Sequence, residues 1–179
     1  MNDPFDRLAN LLGAFALGVA DRIRSAALEQ SSLGGETAAA IVVIRHAPGL
    51  SIDQLGRVLG LSHAGTVRLV DRLAAAGLAV RSAAAHDRRA VALTLTPAGE
   101  VHQAALLNRR NEALVAILSE VSVRDRIALE RIVAAMLQRL PDDAVSALNV
   151  CRFCDAERCA DCPMDVFGPL DSSRRPGKP

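Results

Sequence analysis

The 179-residue chain is close to neutral, with Lys+Arg 21 against Asp+Glu 20, and half of it is apolar although aromatics supply only 2 %. Ala, Leu and Val must do the packing, in one domain with extensions. No apolar run reaches the ~18 residues of a membrane span, and Met1-Asn2-Asp3-Pro4 lacks the basic start of a secretory leader, so the expected compartment is the cytoplasm.

Residues 1–50 read as two helices. The first, over 5–30, lines up Leu8, Leu11, Leu12, Phe15, Val19 and Ile23 at helical spacing; the second, over 36–47, is ended by Pro48-Gly49.

Residues 51–99 are the most informative stretch. Ser51-Ile52-Asp53-Gln54 is a capping box, Leu55, Val58 and Leu59 recur at helical spacing, and Gly60 supplies the left-handed residue that closes a short helix. Ser62 is a second N-cap, opening a helix over 62–76 that Gly77 stops. Projected at about 100° per residue, Thr66, Val67, Leu69, Val70, Leu73 and Ala74 share one arc. Ala64, Gly65, Arg68, Asp71 and Arg72 lie opposite. That outer face is short-chained at its start, where Ser62 and His63 could reach base edges, and basic further along, where arginine pairs with guanine or phosphate. Taken alone, it is also what an ordinary solvated helix face looks like. Strand-like segments at 78–82 and 90–95 then flank a tip, 83–89, whose adjacent Arg88 and Arg89 have no core to stabilise. Arginines on such a tip suit a phosphate backbone or a narrow minor groove.

Helices follow on either side of Ser122. Thr96-Pro97 is a cap followed by proline in the first turn, opening a helix to about residue 121. Ser122-Val123-Arg124-Asp125 opens another, to 140, stopped by Pro141. The fold expected is mainly α with a small β-hairpin wing.

Leu61-Ser62-His63, Val70-Asp71-Arg72-Leu73, Gly77-Leu78, Asp87-Arg88-Arg89 and Leu93-Thr94-Leu95-Thr96-Pro97-Ala98-Gly99 closely resemble the winged helix-turn-helix of the MarR family of transcriptional regulators. The resemblance spans roughly 5–140. It implies that 62–76 is a recognition helix for the major groove, and that Asp87 and Arg89 form the wing pair, Arg89 entering the minor groove and Asp87 holding the wing. The DNA-contacting set is then Ser62, His63, Ala64, Gly65, Arg68, Arg72, Asp87, Arg88 and Arg89. Gly65 departs from the hydroxyl residue many members carry there, so base preference is not carried over. The resemblance further implies a homodimer joined by its N- and C-terminal helices (1–50 and 100–140), a repressor's role, and a small-molecule effector. A two-fold dimer would read a pseudo-palindromic operator in double-stranded DNA, with half-sites about 10 bp apart.

Charge is unevenly spread. Residues 51–99 carry six arginines (57, 68, 72, 81, 88, 89) against Asp53, Asp71 and Asp87, whereas the tail, 141–179, carries seven acids against five bases. The acidic tail is expected to point away from DNA or to compete with it.

The tail holds all the cysteines, Cys151, Cys154, Cys159 and Cys162, as C-x2-C-x4-C-x2-C. Two such pairs supply the four thiolates of a tetrahedral site, for a zinc ion (Zn2+) or an iron–sulfur cluster. Paired C-x2-C favours zinc, whereas the short spacer and Pro163 after the last cysteine favour a cluster. A pair of disulfides or idle thiols is the bland alternative. Two other classes stay open. A thiol–disulfide enzyme would want its pair at a helix N-terminus in a βαβ setting, which this chain lacks. A scaffold would bind protein through the tail. The histidines, at 46, 63, 86 and 102, are scattered and suggest no catalytic constellation, so no enzyme is expected.

Overall fold

The computed structural model describes residues 3–30, 34–83, 91–159 and 161–170. In chain order they form α1 (Pro4–Gln30), α2 (Gly35–His46), α3 (Ile52–Leu59), α4 (His63–Ala75), β1 (Ala79–Ala83), β2 (Val91–Leu95), α5 (Pro97–Leu118), α6 (Val123–Leu137), α7 (Ala144–Val150) and two single 3-10 turns, Ala156–Arg158 and Asp165–Phe167. None of the described helices is long and apolar enough to cross a membrane.

Local chemistry sets the element boundaries. Ser51 Oγ accepts from the Gln54 amide at 3.2 Å while Gln54 Oε1 accepts from the Ser51 amide at 2.7 Å, so α3 opens on a complete capping box. Gly60 closes it at φ 68°, a left-handed conformation costly for any residue with a Cβ. Ser62 caps α4, and Thr96 caps α5 with proline in the first turn. The helices α5 and α6 stop three residues short of the expected ends. Their last turns tighten to i→i+3 bonds, Val121 N to Leu118 O (3.1 Å) and Leu140 N to Leu137 O (3.2 Å).

Residues 37 to 44 of α2 are all buried, which a helix shows only when it is apolar on every side. One side (Ala40, Ile41, Val43, Ile44) packs with Leu55, Val58, Leu69, Val70, Leu73 and Leu93 into the core of the winged unit. Its other side (Ala38, Val42) meets Ala27 of α1 and Leu106 and Leu107 of α5. The helix is a wall shared by two lobes.

The hairpin grows out of the first lobe. Strands β1 and β2 pair antiparallel with Ala79 opposite Leu95 and Ala83 opposite Val91. Its root is held three ways: Gly49 N to Leu93 O and Leu93 N to Leu50 O, both 2.9 Å, and Thr96 Oγ1 to Gly77 O at 2.6 Å. The tip, with His86, Asp87, Arg88 and Arg89, lies outside the described residues.

Two segments keep apolar faces in solvent. Phe5, Leu8, Leu11, Leu12, Phe15 and Leu17 on α1 are exposed, and α6 buries no residue at all, leaving Val123, Ile127, Ile132, Val133 and Met136 open.

The tail does not point away from the winged unit. Val145, Leu148 and Leu170 pack against its core, Phe153 packs against the second cluster, and Met164 is buried. An apolar pair three residues apart on α7 finds an open side of α3, and Asn149 Nδ2 donates at 2.6 Å to Val58 O, one of the carbonyls the end of α3 leaves unpaired.

Candidate nucleic-acid interface

Helix α4 presents Ser62, His63, Ala64, Arg68, Asp71 and Arg72 to solvent and buries Thr66, Leu69, Val70 and Leu73. The inner arc is narrower than expected, with Val67 half-buried and Ala74 exposed, while Gly65, expected on the outer face, is half-buried.

The start of α4 is held rigid. Ser62 Oγ accepts from the Gly65 amide at 3.2 Å, so its oxygen serves the cap and its proton is what remains for a base or phosphate. His63 Nδ1 lies 2.7 Å from Asp53 Oδ1, tying this turn to α3 and leaving Nε2 as the ring atom that could face a ligand. Gly56 sets how closely the two helices cross. A Cβ there would meet Thr66 Oγ1 at 2.7 Å and Leu61 O at 3.3 Å. Periodicity alone does not single out this glycine; the signal available was a glycine inside a short helical pattern.

The arginines of 51–99 divide by task. Arg81 Nη2 binds Asp71 Oδ1 at 2.7 Å, strapping β1 to α4, and the charge of Arg57 acts on the carboxyl of Asp143. Arg68 and Arg72 form no ion pair among the described residues, and both stand on the outer face of α4. Two guanidinium groups one helical turn apart, on a helix fixed at its start and strapped at its middle, suit an extended anion such as a nucleic-acid backbone. A separate hollow of about 340 Å3 between α1 and α5 is lined by Asp21, Arg22, Ser25, Arg109 and Glu112.

The tail lies against both lobes. Arg45 Nη2 meets Glu157 Oε1 at 3.4 Å, His46 Nε2 is 3.0 Å from Cys154 O, and Arg158 Nη2 donates to Asn108 Oδ1 of α5 at 2.8 Å. All four cysteines are free thiols. Cys151 and Cys154 share a hydrogen bond that, with burial, raises the Cys151 thiol. The same bond lowers Cys154 against its burial, helped by Arg110 and Arg152. Cys159 and Cys162 also share a hydrogen bond, and burial followed by the Cys162 charge raises Cys159. Among the described residues, no three His, Cys, Asp or Glu side chains are already gathered at metal-ligand spacing.

Docking of the tail begins at Asp143, whose side chain accepts from the Ser146 amide at 2.8 Å to cap α7. Bonds from Ser146 and the charge of Arg57 hold its carboxyl below 3.8. The cap therefore adds stability above the unfolded-state value and loses it as pH falls through the lower folded-state value. Replacing Asp143 with Ala is expected to remove about 1 kcal/mol of helix stability. Faster proteolysis of the tail, with the winged unit intact, is the measurement that checks it.

Comparison with known proteins gives a family match over a third of the chain and a shared fold over most of it. Residues 31–90 match a model of the MarR family. Among solved structures, a MarR family protein from Bacillus stearothermophilus aligns at 24 % identity with TM-score 0.67, over 78 % of this chain and 97 % of its own. The transcriptional regulator Tm0710 from Thermotoga maritima aligns at 22 % identity and TM-score 0.60, over 75 % and 92 %. A probable transcriptional regulator from Pseudomonas aeruginosa aligns at 25 % identity and TM-score 0.53, over 72 % and 98 %.

Proposed function

We propose, from the match of residues 31–90 to a model of the MarR family, that the chain is a homodimeric, DNA-binding transcriptional regulator that represses by occupying a pseudo-palindromic operator. The observation that carries the reading is the outer face of α4, where Arg68 and Arg72 form no ion pair among the described residues, on a helix that Asp53, Gly56 and Arg81 hold in place. Small residues at its first turn, Ala64 and Gly65, let the backbone approach base edges, and the two arginines reach guanine or phosphate. The wing would add Arg88 and Arg89 from the other side of the backbone, with Asp87 shaping the tip.

Dimerisation is supported by the apolar faces of α1 and α6. Contiguous apolar surface of this kind is unusual on a monomer and belongs to interfaces. A single winged unit touches few base pairs, and pairing doubles the contact. A small effector would fit the charged hollow between α1 and α5.

Titration of the dimer with duplex DNA from the region upstream of its own gene tests the reading. Arg68→Ala is expected to weaken specific binding by roughly 1–3 kcal/mol, about 5- to 150-fold, and Arg89→Ala by a similar amount. Binding that is unchanged in both variants and insensitive to salt would rule out the regulator.

A further inference from the structure

We propose that Cys151, Cys154, Cys159 and Cys162 hold one thiophilic metal centre, and that this centre locks the tail across both lobes of the protein. The link to DNA rests on the regulator reading above; the metal site itself does not.

Three observations carry the site. The first C-x2-C is already a closed turn, Cys154 N reaching Cys151 O at 2.8 Å, and Asp161 stands at φ 52° in the left-handed region just before Cys162. A hydrogen bond joins the two thiols of each pair, Cys151 with Cys154 and Cys159 with Cys162. Among the described residues the two pairs are not gathered at metal-ligand spacing, and drawing them together is the step a metal supplies by coordination.

The surroundings fit a tetrathiolate. Four thiolates around a divalent ion leave a net negative charge, and Arg110 and Arg152 both bear on Cys154. Arg110 Nε is buried with no hydrogen-bond partner in the structure. A buried guanidinium N–H without an acceptor is costly, and a metal-bound sulfur is the acceptor this position would offer it. Among the described residues of 151–167, Met164 is the one buried hydrophobic side chain, with Phe153 packed on the second cluster and two single 3-10 turns, a small core to hold one shape without a staple.

Position gives the site its consequence. Asn149 precedes the first cysteine and holds α3; His46 of α2 contacts Cys154 O; Arg158, beside Cys159, holds α5. Closing the four thiols shortens the path between these anchors. Metal occupancy therefore biases how the winged unit sits against the α1–α5 lobe, the difference a regulatory signal requires.

Zinc ion and iron–sulfur cluster share this thiolate chemistry, and one preparation separates them. Full-length protein purified without oxygen is analysed for zinc, iron and acid-labile sulfide, and its absorption is read between about 320 and 450 nm. One zinc per chain with no colour, or a brown protein with iron and sulfide, supports the site and names its occupant. Cys154→Ser and Cys162→Ser should each lose the metal while gel filtration and helical circular dichroism stay as in the parent. Asn149→Ala should keep the metal but lessen the change in operator affinity between loaded and metal-stripped protein. Protein that arrives metal-free and takes up neither added zinc sulfate nor a cluster reconstituted from ferrous iron and sulfide overturns the proposal. If metal binds in full but no form binds DNA, the site stands and the regulator reading falls.

Discussion

Ile127→Glu is expected to turn the proposed dimer into monomers and to weaken binding to the proposed operator by at least ~100-fold. Ile127 is 66 % exposed on a helix that buries nothing within its own chain, so the substitution costs the isolated subunit almost nothing. In a dimer the same carboxylate would be taken from water without a partner, at several kcal/mol per subunit, and each 1.4 kcal/mol is tenfold. Leu8→Glu on α1, 62 % exposed, should act alike, because both helices supply the apolar face. Light scattering gives the mass and a DNA titration the affinity. If both variants stay dimeric with parental affinity, the interface lies elsewhere.

Gly99→Ala should be the most damaging small change in the winged unit. Its new Cβ would run into the Leu78 carbonyl oxygen and stand 2.9 Å from the carbonyl carbon. That carbonyl cannot withdraw: it accepts from the Thr96 amide at 3.0 Å, and Thr96 Oγ1 in turn holds Gly77 O. Overpacking against fixed backbone costs about 3 kcal/mol, which for a chain of this size lowers Tm by roughly 6–12 °C. Gly35→Ala is the control, since nothing lies within 4 Å of a Cβ there and its φ is ordinary. Its melting temperature should be near the parent's. Equal melting temperatures for both variants would contradict the close approach at Gly99.

How much of this the chain announces depends on the range of the interaction. Ser51 with Gln54, Gly60, Ser62, and Thr96 with Pro97 act within one turn of their own backbone, so their caps are legible from residue type and spacing. Arg68 and Arg72 are legible as an outward pair for the same reason: helical projection needs only the period. Arg81 is not. Its role is set by Asp71 on another element, and a count of charges treats it as one more outward arginine. The tail's docking is hidden further, resting on single long-range bonds from Asn149, His46 and Arg158. One clue was present. Asp143 and Ser146 have capping-box spacing, and a helix after them with Val145 and Leu148 on one side had to bury that side somewhere.

The shared wall α2 also bears on how a protein of this shape can change over generations. Ile41 and Val42 are neighbours in the chain, yet one belongs to the core of the winged unit and the other to the core behind it. Interiors are packed too tightly to absorb a new side chain on one side alone, so a mutation in this helix must be answered in two places at once. Drift is freer on either side of it: the outer face of α4 and the surface of the tail can change while the partition between them stays as it was.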